Sequence, residues 1–214
     1  MENTNRTAVE YHGTTKLGYI NLKTKPSLYK SYDIDPDITL EGQSIEINTP
    51  TLDCGYPENS GQTPVGLTEI ATLLNLSSGI IKRNISTTAG LVDYRAASSA
   101  GALYPIETYL VSGHLQNIPA GIYHFSPKDN VLTKIAEGDY RSRLSSGRPD
   151  HQEISNSPIV LVYTSIIWRS TWKYRARGYR YSLWDNGTIL SNLINTSNAL
   201  GIPNKLYLGF TDNT

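Results

Sequence analysis

Cysteine is almost absent from this chain, and so is any imbalance of charge. The one cysteine among 214 residues, Cys54, has no partner for an internal disulfide and no Cys-x-x-Cys neighbour for metal or redox work. That usage fits a reducing, cytoplasmic setting. Lys plus Arg and Asp plus Glu both total 19, so no net field exists to draw in nucleic acid or an anionic membrane. Long apolar runs are missing as well: the opening MENTNRTAVEYHGTTK is not signal-like, and nothing downstream approaches the roughly 20 apolar residues of a membrane span. A soluble protein is expected. His12, His114, His124 and His151 lie far apart without ligand spacing, which predicts surface or strand-face histidines and no metal site. There is no Gly-x-Gly-x-x-Gly, P-loop or Gly-x-Ser-x-Gly, and no convincing acidic pair for glycoside or metal chemistry. Phenylalanine is scarce, at 2 against 15 tyrosines. Because a buried tyrosine needs a hydrogen-bond partner, that skew suits half-wet surfaces, interfaces and clefts.

What is present divides unevenly. Residues 1–60 are rich in Asn, Thr, Pro and Gly with weak periodicity, which predicts a loosely structured arm carrying little core, followed by one domain over 61–214. In TPVGLTEIATLLNLSSGI, Leu67, Ile70, Ala71 and Leu74 fall at helical spacing, with Glu69 in the first turn and Gly79 after the last. The runs IETYLVSG, GIYHFSP and NVLTKIAEG read as strands joined by tight connections, and the apolar Ile159 to Val162 as a buried central strand. A final helix carries Leu183, Leu190, Leu193, Ile194 and Leu200, ended by Gly201 and Pro203. Helices and strands mix without a βαβ period or a repeat, so the fold class is α+β.

Two stretches carry chemistry. In RAASSAGALYPIETYLV, Arg95 to Val111, small side chains let the backbone approach a flat or anionic ligand. Ser98 and Ser99 add hydroxyls there, and Arg95 suits a phosphate or carbonyl oxygen. A flexible connector or a close helix–strand crossing would use the same composition. In TWKYRARGYRYSLWDNG, Lys173 and Tyr174 form an acid–base couple if their surroundings move their titration from about 10 toward neutrality. A solvated basic turn capping a helix, or an RNA-touching patch, is the plainer reading.

Taken in order, R-x-x-S-S-A-G-A-L-Y-P-I-E-x-Y-L-V, then G-I-Y-H-F, then K-Y-x-x-R-G-Y-R-Y-S-L-x-D-x-G resembles the SagB-type dehydrogenases, from about Tyr11 to the last residue. These nitroreductase-like flavoproteins include the oxidases that make thiazoles and oxazoles in ribosomal peptides. The resemblance implies an antiparallel or mixed sheet flanked by helices, in an intertwined homodimer that binds FMN between its subunits. It implies that Ser99, Ala100, Gly101, Ala102 and Leu103 form the loop against the flavin, with Arg95 as the arginine preceding it. Leu208 and Gly209, in LYLGF, would cover the other side of the ring, and the helix between Ser182 and Leu200 would build the dimer core. Lys173 and Tyr174 would be catalytic: one takes a proton from a thiazoline or oxazoline while hydride passes to FMN, and the other tunes it. Molecular oxygen would be the reoxidant, and a peptide substrate and cyclodehydratase subunits the partners.

The sequence also departs from the pattern. LDCGYPENSGQTP has no arginine where the family holds the FMN phosphate, Ser98 replaces a common Pro, and Thr188 replaces a common His. The chain stops at GFTDNT where relatives continue, as a truncated domain would. The missing arginines motivate a second reading, a flavin-free scaffold subunit of a peptide-modifying complex.

Overall fold

Strand β4, Ile106–Ser112, is buried along its whole length, and the rest of the fold is arranged around it. The computed structural model describes residues 8–16, 18–55, 63–87, 90–145 and 152–209. On one side β4 pairs with β5, Gly121–Ser126, which pairs with β6, Val131–Glu137; on the other it pairs with β7, Ile159–Ser165. A short β1, Ile38–Thr39, adds to β6 and completes an antiparallel five-stranded sheet in the order β1-β6-β5-β4-β7. A separate ribbon pairs β2, Ile80–Ser86, with β3, Gly90–Arg95.

Two-residue alternation gives this sheet two different faces. Register places Leu110 opposite Tyr123, and these two join Phe125, Leu132, Ile118 and Leu40 in the main core under helix α2, Leu67–Ser78. The predicted stripe of α2 enters that core through Ile70, Ala71 and Leu74, all at 0 % exposure. The Glu69 carboxylate accepts the Gly66 amide at 2.9 Å and so satisfies a donor that the first turn leaves open. On the opposite face, register aligns Tyr109 with His124, and Glu107 shares their parity. Two short helices, Arg141–Ser145 (α3) and Gln152–Asn156 (α4), precede β7, and two longer ones, Ile167–Tyr174 (α5) and Arg177–Ala199 (α6), follow it.

Two expectations need correction. The apolar run Ile159 to Val162 forms β7 at the edge of the sheet rather than a central strand. Continuous apolarity reports that both faces of a strand meet neighbours, and says nothing of whether both backbone edges are paired. The polar arm also carries more of the fold than its composition suggests. Leu40 is wholly buried in the main core, β1 extends the sheet, and Lys30 and Tyr32 reach the Tyr109 side of it. Composition conceals such contacts because many of them use backbone carbonyls and tyrosine hydroxyls. An arm helix, Ala8–Thr14 (α1), packs near the start of α6, where the Arg177 Nε donates to Thr15 Oγ1 at 2.7 Å and Arg180 lies over the Tyr11 ring.

Candidate active site

The small-residue stretch folds into a tight turn with unusual backbone angles. Ala102 N–H donates to the Ser99 carbonyl at 3.0 Å, and Gly101, Ala102 and Tyr104 all have positive φ, at 67°, 53° and 46°. Such angles cost a residue with a Cβ on the order of 1–3 kcal/mol each, so the surroundings must impose them. Asp185 supplies part of that constraint. From α6, its carboxylate accepts the Ser99 hydroxyl at 2.6 Å and the Ala100 amide at 3.4 Å, while Ser99 Oγ in turn accepts the Tyr104 amide at 2.9 Å. Asp185 was visible only as the Asp of the Asp-x-Gly motif, and the reading of the sequence gave it no role.

Burial raises the Asp185 pKa, with the Ser99 and Ala100 hydrogen bonds pulling the other way. A carboxyl with a higher pKa folded than unfolded adds no penalty below the unfolded value, near 3.9, and its full penalty above the folded one. Asparagine does not titrate. The stability of Asp185→Asn relative to the native chain is therefore expected to improve as pH rises from about 3 to 7, read from urea unfolding across that range. A pH-independent difference would show that burial is not what governs this carboxyl.

The second chemical stretch meets the first. Helix α5 ends at Tyr174, Arg175 turns the chain at φ 53°, and α6 begins at Arg177. The two helices cross closely at Gly178, where an added Cβ would lie 2.6 Å from the Ser170 carbonyl carbon. The Arg-rich segment is thus a helix–helix corner, not an extended basic patch. That corner carries Lys173 and Tyr174 to the turn: a Cβ on Gly101 would stand 2.6 Å from the Tyr174 hydroxyl and 3.0 Å from Lys173 Nζ. Lys173 Nζ also lies 5.3 Å from the Tyr174 ring centroid, and the Tyr174 ring packs edge-on to Tyr181 at 4.8 Å.

Arg95 is 8 % exposed, held by Leu28, whose carbonyl accepts from Nη2 at 3.2 Å, and by the Tyr104 ring, 4.5 Å away. Its buried Nε has no hydrogen-bond partner. Arg95 lines a small pocket with Ser98, Ser99, Tyr104 and Asp185. An orphaned guanidinium donor beside a turn of small residues fits a planar group rich in acceptor atoms. Leu103, only 2 % exposed, roots the turn in the protein. The LYLGF segment is placed otherwise: the Tyr207 hydroxyl donates to Glu153 of α4 at 2.8 Å, and Leu208 is 81 % exposed. Nothing described in the single chain joins Leu208 or Gly209 to the turn.

A buried ionic network lies beneath the turn, and the sequence reading missed it. Arg169 Nη1 donates to the Tyr104 carbonyl at 2.9 Å and to Glu107 Oε1, and Glu107 Oε2 meets His124 Nε2 at 2.7 Å. Burial pushes the Glu107 carboxyl up, but the His124 hydrogen bond and the Arg169 charge outweigh it and hold it below its ordinary value. The signal was a glutamate within IETYLV and a histidine within GIYHF, each inside a run that otherwise reads as buried strand. Among the described residues no cluster of three or more His, Cys, Asp or Glu is arranged to hold a metal ion, and no helix is long and apolar enough to cross a membrane. His151 and residues 56–62, which form most of the arginine-free stretch LDCGYPENSGQTP, lie outside the described residues.

This sheet, with its flanking helices, is the nitroreductase fold. A protein from Anabaena variabilis described as a nitroreductase superposes with a TM-score of 0.66 at 26 % identity, over 86 % of this chain and 37 % of that one. The Escherichia coli microcin synthetase McbBCD complex with truncated pro-MccB17 bound contains a chain matching at a TM-score of 0.56 and 24 % identity, over 94 % of this chain and 76 % of its own. In sequence the chain is similar to peptide-processing proteins. It is 36 % identical over 126 residues to the microcin B17-processing protein McbC of Escherichia coli, covering 55 % of this chain and 45 % of McbC. It is 29 % identical over 113 residues to the trifolitoxin-processing protein TfxB of Rhizobium leguminosarum, covering 50 % of this chain and 30 % of TfxB. The chain thus spans less than half the length of these two peptide-processing relatives. No protein-family model matches it.

Proposed function

We propose that this chain is an FMN-dependent dehydrogenase that oxidises thiazoline or oxazoline rings in a ribosomal peptide to thiazoles or oxazoles. The observation carrying this reading is the convergence of Lys173 and Tyr174 on Gly101, where φ is positive and an unpaired arginine donor lies in the adjoining pocket. Arg95, Ser99, Ala100, Gly101 and Ala102 would hold the flavin, with Leu103 anchoring the turn from below. FMN, when bound, supplies the acceptor for the hydride leaving the azoline carbon. The protein's own part is the proton. Tyr174 or Lys173 accepts it from the ring as the carbon–hydrogen bond breaks, and the partner side chain tunes that acceptor electrostatically.

A homodimer and a peptide-modifying assembly complete this reading. Helix α6 leaves Tyr179, Leu183 and Trp184 exposed, an apolar surface suited to a second copy. The microcin and trifolitoxin relatives support the peptide substrate and a synthetase partner. A flavin-free scaffold is the second reading, favoured by the absence of arginine in LDCGYPENSGQTP. One measurement separates the two: the visible spectrum of the purified chain, with FMN released on denaturation. Yellow protein that bleaches anaerobically with an azoline peptide is the expected result. Colourless protein that takes up no added FMN, yet binds its synthetase partner, would overturn the enzyme reading.

A further inference from the structure

We propose that Arg169 is the positioning residue that sets Lys173 and Tyr174 against the small-residue turn, and that Glu107 holds Arg169 to that task; this rests on the pair being the acid–base site. Arg169 lies one helical turn before Lys173 on α5 and is 2 % exposed. A helix docked only by packing has no need of a buried guanidinium, whose desolvation must be offset by well-placed acceptors. Here each acceptor belongs to a different segment. Nη1 donates to the Tyr104 carbonyl at 2.9 Å, at the end of the turn, and to Glu107 on β4; Nε donates to the Ser27 carbonyl at 2.8 Å, in the arm.

The Tyr104 carbonyl that meets Arg169 belongs to a residue with φ of 46°, one of the positive angles that define the turn. A second link, from the Ile166 amide to the Pro105 carbonyl at 2.8 Å, ties the start of α5 to the adjacent residue. Two consecutive carbonyls of the turn's exit therefore hold the base of the helix whose far end carries Lys173 and Tyr174. Rotation or sliding of α5 is resisted at its root, so the approach of both side chains to Gly101 is fixed. The rigid planar fork of arginine serves two acceptors at once, which a lysine ammonium on a flexible stem does not reproduce. Glu107, held from behind by His124 at 2.7 Å, keeps the fork in register.

The test is hydrogen exchange read by mass spectrometry on the full chain without flavin, comparing the native protein with Arg169→Gln, Arg169→Lys and Glu107→Gln. In Arg169→Gln, amides in 99–105 and 167–174 are expected to exchange together about tenfold faster or more, as loss of charge-assisted hydrogen bonds implies. Those of α2, β5 and β6 should keep their rates, and Arg169→Lys should fall between. A rise confined to one of the two segments, or spread evenly through β5 and β6, overturns the proposal. If Arg169→Gln does not fold, the near-isosteric Glu107→Gln decides: unchanged exchange in both segments overturns it too.

In flavin-loaded protein, Arg169→Lys is expected to lower kcat about 100-fold with KM unchanged, as misplacement of a reacting group on the order of 1 Å does. Coupled exchange with no turnover of any azoline would sink the proposed function and leave the positioning role standing. Undiminished azoline oxidation in Arg169→Lys and Arg169→Gln would do the reverse.

Discussion

A chain carrying Lys173→Met and Tyr174→Phe together is expected to keep the absorbance of bound oxidised flavin and to lose its reduction by an azoline peptide, about 10²–10⁴-fold. The size of the loss follows from geometry. Both polar groups lie where a Gly101 Cβ would be, with the Tyr174 hydroxyl 2.6 Å and Lys173 Nζ 3.0 Å from that point. The nearby Asp185 carboxylate is engaged by Ser99 and Ala100, which leaves it badly placed to take over a proton transfer. Anaerobic mixing with the peptide, followed by the decay of flavin absorbance, measures the step directly. The two single variants then divide the roles, because the side chain whose removal alone accounts for most of the loss is the base. Loss of colour in the double variant would mean that the pair supports the site rather than reacting in it.

The sequence made β4, β5, β6 and α2 legible because apolar runs of the right length and spacing stand between turn formers, and it made the turn legible because an unbroken run of small residues is rare beside Tyr-Pro. The meeting of the turn with Lys173 and Tyr174 was not legible from the spacing of the residues. It depends on the corner at Arg175 and the crossing at Gly178, where a left-handed residue and a missing Cβ fold α6 back along α5. Single-residue geometry of that kind leaves no periodic trace. Glu107, His124 and Arg169 were hidden for a different reason. Each is a single residue in an ordinary element, and their meaning lies in pairing across three segments. The polar arm misled in the same way, since Ser27 and Leu28 contribute carbonyl oxygens, which every residue type possesses.

Gly101→Val is expected to fold and to lose flavin by more than about tenfold, since a β-branched residue at φ 67° carries strain of roughly 1–3 kcal/mol and adds bulk at the turn's surface. Folding survives because the atoms that a Cβ meets first are the far ends of Tyr174 and Lys173, which can swing outward. That same movement would impair catalysis on its own, so two causes must be separated. Gly101→Ala adds only the Cβ, and it should keep more of the flavin than the valine while losing substrate-driven reduction. Introducing Gly101→Val into a chain already carrying Lys173→Ala and Tyr174→Ala removes the atoms that would be displaced. If flavin content stays low there, the valine itself blocks the ring, and the turn faces the cofactor. If it recovers, flavin loss came through the displaced pair, and Lys173 and Tyr174 lie between the turn and the ring. Native flavin content in Gly101→Val alone would show that the turn faces no flavin, because side-chain bulk at a contact with a flat ligand cannot be neutral.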